Sequence, residues 1–261
     1  MYSKEYRNKV QSSIITFAKA DVRIIDCAIV GSESIEKNDE WSDIDLTFGV
    51  SAEAEIPKIL LGWNELMAKN FKANVLFDLA FRESIYRVYL LPNALQVDLS
   101  FTPTEHFGAI TEKFKLIFGK EKARNSKPIP KLKTIFGYAV LYALKTRCSI
   151  EREKFWQAHY LLEKFKENIM TMKCLSENLN PFDGRDYDNL SELFLAQIES
   201  SLIDSPNRNN LDKSLMVLTK VLISETKNNS RLNYKFENEL KQIAKINTVH
   251  SRVDGSDPSK S

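Results

Sequence analysis

Apolar and polar positions follow two different rhythms along this chain, and the change between them falls near its middle. Over residues 4–19, Tyr6, Val10, Ile14, Phe17 and Ala18 gather near one face, which predicts an amphipathic helix. Residues 23–30 form an apolar, β-branched run that stops at Gly31 and Ser32, predicting a buried strand that ends in a turn. A short polar helix or loop is expected over 33–40 and a strand over 44–50. Ile56, Ile59, Leu60, Trp63, Leu66 and Met67 are spaced for burial within a helix over 53–70. Residues 75–81 and 86–91 read as strands, and Pro92 with Asn93 supplies a turn before another over 95–101. Strands interleaved with helices describe an α/β-type unit.

Residues 120–130, KEKARNSKPIP, are charged, proline-bearing and weakly apolar, so they read as a linker. Beyond them the period is helical, with apolar faces over 135–145, 155–170, 191–202 and 211–224 and a further helix over 234–246. Asn180-Pro181 and Ser205-Pro206 mark connections, and this half predicts a helical bundle. The fold class expected is therefore α+β: a mixed sheet with flanking helices over 1–120, then an all-α bundle over 128–246. A polar tail over 247–261 completes the division.

Composition narrows the setting. The 43% hydrophobic and 28% charged content is that of a soluble globular protein. A net charge of +2, with both signs interspersed, does not recommend a polyanion, so nucleic acid is not the expected partner. Cys27, Cys148 and Cys174 are scattered and form no C-x-x-C pair, which argues against a zinc site or a disulfide framework. The polar N-terminus and the lack of a long apolar run give no signal peptide or membrane span, and a cytoplasmic protein is expected.

The chemistry concentrates in GSESIEKNDEWSDIDL, residues 31–46. Asp43 and Asp45 are two apart at a predicted strand, so their side chains leave one face while Ile44 and Leu46 turn inward. Asp98 has the same setting in LQVDLSF, between Val97 and Leu99. If the two strands pair, three carboxylates converge. Such a cluster opposes its own ionisation, and hard divalent ions remove the conflict. Two ions about 4 Å apart suit an in-line displacement at phosphorus. Gly31 lets the backbone approach an anion, and the Ser32 hydroxyl and nearby N–H groups can donate to phosphate oxygens.

These residues resemble a known family. G-S, with S-D-x-D-L beginning ten positions later, then a third acid on an apolar strand, is similar to the polymerase-beta-type nucleotidyltransferase superfamily. The added helical half resembles, more narrowly, the aminoglycoside and lincosamide nucleotidyltransferases. The resemblance implies that Gly31 and Ser32 hold a triphosphate, that Asp43, Asp45 and Asp98 bind Mg²⁺, and that Asp98 serves as general base. It further implies ATP or another NTP as substrate, two Mg²⁺ ions, and a small hydroxylated acceptor such as an aminoglycoside or lincosamide. A role in antibiotic resistance would follow, in a monomer or homodimer with its active site between the two halves. The family often carries a second glycine shortly after G-S, where this chain has Ile35 and Glu36.

Each feature has a plainer alternative. A lone D-x-D is usually two solvated acids, and Asp78, in LFDLAF, rivals Asp98 as third carboxylate, although an ordinary edge-strand acid is the better account of it. Lys145, Arg147 and Lys154 are candidates to reach the triphosphate, with Lys154 preferred over solvated helix cations. Glu151 and Glu153 are alternative bases. Arg152 and His159 match a sparse motif of helical ribonuclease toxins, but Arg and His at that spacing are common on helices, and Trp156 and Tyr160 are expected in the core. Glu33, Glu36, Asp39 and Glu40 suit a cationic acceptor or simply a solvated face, and the turn-rich stretch 183–190 could line an acceptor site. Transfer to protein or RNA of a toxin–antitoxin type, or nucleotide binding without catalysis, are the competing functions.

Overall fold

The computed structural model describes residues 2–35, 39, 41–51, 54–123, 130–227, 229 and 236–245. Helix α1 (Lys4–Ala20) opens at Ser3, whose hydroxyl accepts the Tyr6 N–H, and it buries Val10, Ile14 and Ala18. Strand β1 (Ile24–Val30) follows, then a single 3-10 turn at Glu33–Ile35 and strand β2 (Ile44–Val50). Helix α2 (Ile56–Phe71) starts later than the apolar spacing suggests, because Pro57 sets its first turn.

Strands β3 (Asn74–Phe81), β4 (Ser84–Leu90) and β5 (Gln96–Pro103) match the predicted runs, apart from their ends. Strand β6 (Phe114–Phe118) was not expected from the sequence; its five residues, FKLIF, carry too little pattern by themselves. It forms by pairing antiparallel with β1. The six strands lie in the order β3-β4-β5-β2-β1-β6, with β2 and β5 parallel and all other neighbours antiparallel.

One face of this sheet is covered by α1 and α2. Ile44, Leu46, Phe48 and Val50 of β2 and Val97, Leu99 and Phe101 of β5 share a core with Val10, Ile14, Ile59, Trp63 and Met67. Phe48 lies with its ring centroid 5.0 Å from Trp63 and 5.3 Å from Phe101, and the Trp63 Nε1–H donates to Asp21. The strand period then sends the intervening residues of β2 and β5 to the opposite face.

The chain divides into two compact units, Met1–Pro128 and Ile129–Ser261. Within the second, α3 (Leu132–Glu151), α4 (Phe155–Ser176), α5 (Glu192–Glu199), α6 (Arg208–Lys227) and α7 (Glu237–Ile243) surround a core that includes Phe136, Ala143, Leu162, Phe165, Leu215 and Leu222. The architecture is thus α+β, a mixed sheet with flanking helices followed by an all-helical part. Most of the expected linker (124–129), and the whole tail (247–261), lie outside the described residues. Among the described residues no helix is long and apolar enough to cross a membrane.

Trp156 and Tyr160 are not core residues: they are 77% and 62% exposed. Both lie on the side of α4 opposite Ala158, Leu162 and Phe165, which take the buried positions instead. The stretch 183–190 is built into the bundle. Asp186 accepts the Asn180 N–H, and the Tyr187 hydroxyl bonds to Thr171 and the Glu167 carbonyl.

Candidate metal centre and transfer site

Strands β2 and β5 run parallel in a register that sets Asp45 directly beside Asp98. Asp43 stands one residue before β2 begins, still extended enough to reach the same patch. One oxygen from each of the three carboxylates lies within 4.8 Å of the other two, and all three side chains are half-buried. At an effective dielectric near 20, two ionised carboxylates at such a separation repel by roughly 3 kcal/mol. Burial holds the Asp98 carboxyl above its usual range; the Asp43 charge adds to this, while the Gln96 amide, donating to both Asp98 oxygens at 3.1 and 3.2 Å, opposes it. The donor set is wholly hard oxygen, which fits Mg²⁺.

Gly31 follows directly on β1 and adopts φ +76°, a left-handed conformation that suits glycine. A Cβ at this position would collide with the Asp45 carboxylate, so the turn after β1 runs tight against the acids. Ser32 is next, its hydroxyl 3.4 Å from that of Ser42. The same Ser42 hydroxyl donates to the Asp39 carboxylate and accepts the Asp39 N–H. Ser42 therefore joins the glycine-serine turn to the segment that delivers Asp43.

Behind that segment lies a residue the sequence reading missed. Arg7 of α1 is fully buried and donates to the carbonyls of Asp39, at 2.7 Å, and Ser42, at 3.3 Å; the Tyr2 hydroxyl donates to the same Ser42 carbonyl. The signal available was an Arg on the otherwise apolar side of an amphipathic helix. Gln96 was also missed, although it stands two residues from Asp98 on the same strand face.

The other candidates fall elsewhere. Asp78 lies on edge strand β3, two strands removed from β5's acid, and forms a two-pronged ion pair with Arg87 at 2.7 Å, which holds its carboxyl below the usual range. It is not the third carboxylate. In the helical unit, Arg147 is spent on Asp212, Glu151 and the Ile243 carbonyl, so it is not free to meet a triphosphate. Glu151 accepts from Lys245, Arg147 and Arg208, and the Lys245 ammonium first among them depresses its carboxyl to about 2. A carboxylate so stabilised is a poor proton acceptor. Glu153 pairs with Arg208 at 3.6 Å. Lys154 stands at the start of α4, its N–H donating to the Ser149 carbonyl. Of the acidic loop, Glu33 accepts from Gln11 and Asp39 is bound as above, while Glu36 and Glu40 lie outside the described residues.

No protein-family profile matches the chain, and no curated protein does. Solved structures similar to it include an aminoglycoside 6-adenyltransferase from Bacillus subtilis, at 14% identity and TM-score 0.42 over 94% of this chain and 98% of that one. A nucleotidyltransferase-like protein from Exiguobacterium sibiricum 255-15 is 11% identical, with TM-score 0.38 over 90% of this chain and 85% of that one. A cyclic dinucleotide synthase from Elizabethkingia meningoseptica, solved with GTP and Apcpp, is 10% identical, with TM-score 0.26 over 90% and 89%. Identities and scores this low carry no inference about function.

Proposed function

We propose that this chain is a metal-dependent nucleotidyltransferase that moves a nucleoside monophosphate from ATP or another NTP to a hydroxyl of a small acceptor. The observation that carries the reading is the convergence of Asp43, Asp45 and Asp98 beside the Gly31 turn. Three carboxylates aimed at one another, with Gln96 donating to one of them, form an arrangement that divalent cations relieve. Mg²⁺ ions held there, two in the arrangement the motif resemblance implies, would supply positive charge to the phosphate oxygens.

The chain's own groups then divide the work. Gly31 leaves the backbone open to the triphosphate, and Ser32 donates its hydroxyl to a phosphate oxygen. Asp43 and Asp45 hold the metal side of the site. Asp98, next to Asp45 across the parallel pair, takes the proton of the acceptor hydroxyl. The acceptor oxygen attacks the α-phosphorus in line, the bond from that phosphorus to the α,β-bridging oxygen breaks, and pyrophosphate leaves with the electron pair.

Incubation with α-labelled ATP, Mg²⁺ and a panel of hydroxylated acceptors tests this directly. Label should pass to an acceptor with equal release of pyrophosphate, and Asp45→Asn should abolish both. Turnover retained in that variant would remove the metal-site reading.

A further inference from the structure

The carboxylate face of the sheet continues beyond the acids. Thr47 and Ser100 are the next residues on that face after Asp45 and Asp98, and they pair with each other across β2 and β5. Ser100 pairs with Tyr86 of β4, and Tyr86 with Leu79 of β3. These four side chains form a row parallel to the acid row, about 7 Å from it along the strands. Together with Phe81 of β3, Phe114 of β6, and Ile110 and Thr111 from the segment between β5 and β6, they line a groove of about 370 Å³.

The lining has a consistent chemistry. Leu79 and Phe81 are 58% and 40% exposed and present an uncovered apolar surface. The floor adds hydroxyls from Thr47, Ser100 and Tyr86. Among the described residues that line the groove, Lys113 is the only charged one. An ammonium-rich molecule seated here would lose water with no carboxylate among the described lining residues to receive it, and would meet Lys113. An uncharged molecule with a flat apolar body and hydroxyl groups would bury its rings on Leu79 and Phe81 and bond to the floor.

We propose that this groove seats the acceptor, and that the acceptor is an uncharged, hydroxylated molecule with a flat apolar body, not a polycation. The proposal rests on the transfer reading above and adds the acceptor's class to it. The groove floor is the row next to Asp98, about 7 Å along the strands, so a hydroxyl projecting from a groove-bound molecule reaches the acids without the apolar body entering the metal site.

The test uses the full chain and two probes: fluorescent 4-methylumbelliferyl β-D-glucoside, uncharged with a flat ring, and kanamycin, a polycation. Binding of the glucoside is followed by anisotropy, and Mg²⁺-dependent ATP binding by equilibrium dialysis. Leu79→Asp and Phe81→Asp change exposed positions, and thermal melts check that each variant folds. The glucoside should bind, kanamycin should not displace it, and each variant should weaken it by about tenfold while ATP binding is kept. Failure of the glucoside to bind at millimolar concentration, or its displacement by kanamycin, overturns the proposal. Weakened ATP binding in the variants with the glucoside unaffected also overturns it, since the groove would then hold the nucleotide. If the parent protein binds glucoside but shows no Mg²⁺-dependent ATP binding, the transfer reading fails instead, and with it the groove's role as an acceptor site.

Discussion

Asp26 and Asp45 stand on the same face of one sheet, Asp26 opposite Gly49 and Asp45 four residues earlier on that neighbouring strand, yet their surroundings are of opposite kinds. Asp26 is 2% exposed, accepts the Thr104 hydroxyl and the Lys120 N–H at 2.7 Å, and has Gly49 and Gly119 making room for its carboxylate. It ties together β1, the end of β2, the turn after β5 and the end of β6. Asp45 also has a glycine packed against it, Gly31, but its nearest acidic neighbours are two more carboxylates. A buried acid supplied with donors by its own fold is complete as it stands. A set of acids directed at one another carries a repulsion that a cation would relieve. Counting acidic residues would not separate the two; the neighbouring carboxylates of one and the glycines that make room for the other do.

That contrast can be broken most sharply by exchanging the two kinds of loss. Asp45→Asn should lower transfer by about a thousandfold or more, while the metal-free protein melts no earlier than the parent, because a repulsion has been removed. Saturating Mg²⁺, at about a hundred times its dissociation constant, should stabilise the parent by roughly 3 kcal/mol and the variant far less, read as a shift in melting temperature. Asp26→Ala should do the reverse. It leaves the Thr104 hydroxyl and the Lys120 N–H without their acceptor and should cost about 3 kcal/mol in urea unfolding, with the Mg²⁺ shift retained. An Asp26 variant that loses the Mg²⁺ response and keeps its stability would erase the distinction.

Gly31→Ala joins both effects in one position. The added methyl meets the Asp45 carboxylate, and the left-handed backbone adds about 1–2 kcal/mol of strain. Lower stability together with weaker Mg²⁺ binding is expected by calorimetry; a change in stability alone would show that the turn is not coupled to the acids. The smallest effect belongs to Asp78, which is paired with Arg87 and partly exposed. Its folded-state carboxyl lies below its unfolded value, so its contribution is full above the unfolded value, near pH 4, and fades as the pH falls through the lower folded one. Asp78→Asn should therefore cost at most about 1 kcal/mol at neutral pH, with the gap to the parent closing below about pH 4 and transfer unchanged at every pH.

The element pattern was legible because helix and strand periods are local properties of the chain. The apolar faces of α1 and α2 and the alternation of β2 and β5 are each contained within a few turns or strand residues. The same alternation placed Asp43 and Asp45 together, since two residues apart on an extended segment means one face. Exposed Trp156 and Tyr160 show the limit of that reasoning. Helical spacing marks an apolar face, but which side meets a partner depends on where α3 and α6 lie.

By itself, then, the sequence carried the change from a mixed to a helical rhythm, the acid pair before and within β2, and the glycine-serine turn ahead of it. Tertiary structure alone decided that β5 is β2's parallel neighbour, which brings Asp98 to Asp45, and that β4 and β5 keep Asp78 away. It also decided that Arg7 reaches from α1 to the Ser42 carbonyl and that β6 exists at all. The physical reason is the same in each case. A period is set by neighbouring residues, whereas strand order, register and the partner of a buried charge are set by segments tens of residues apart, whose meeting no local pattern encodes.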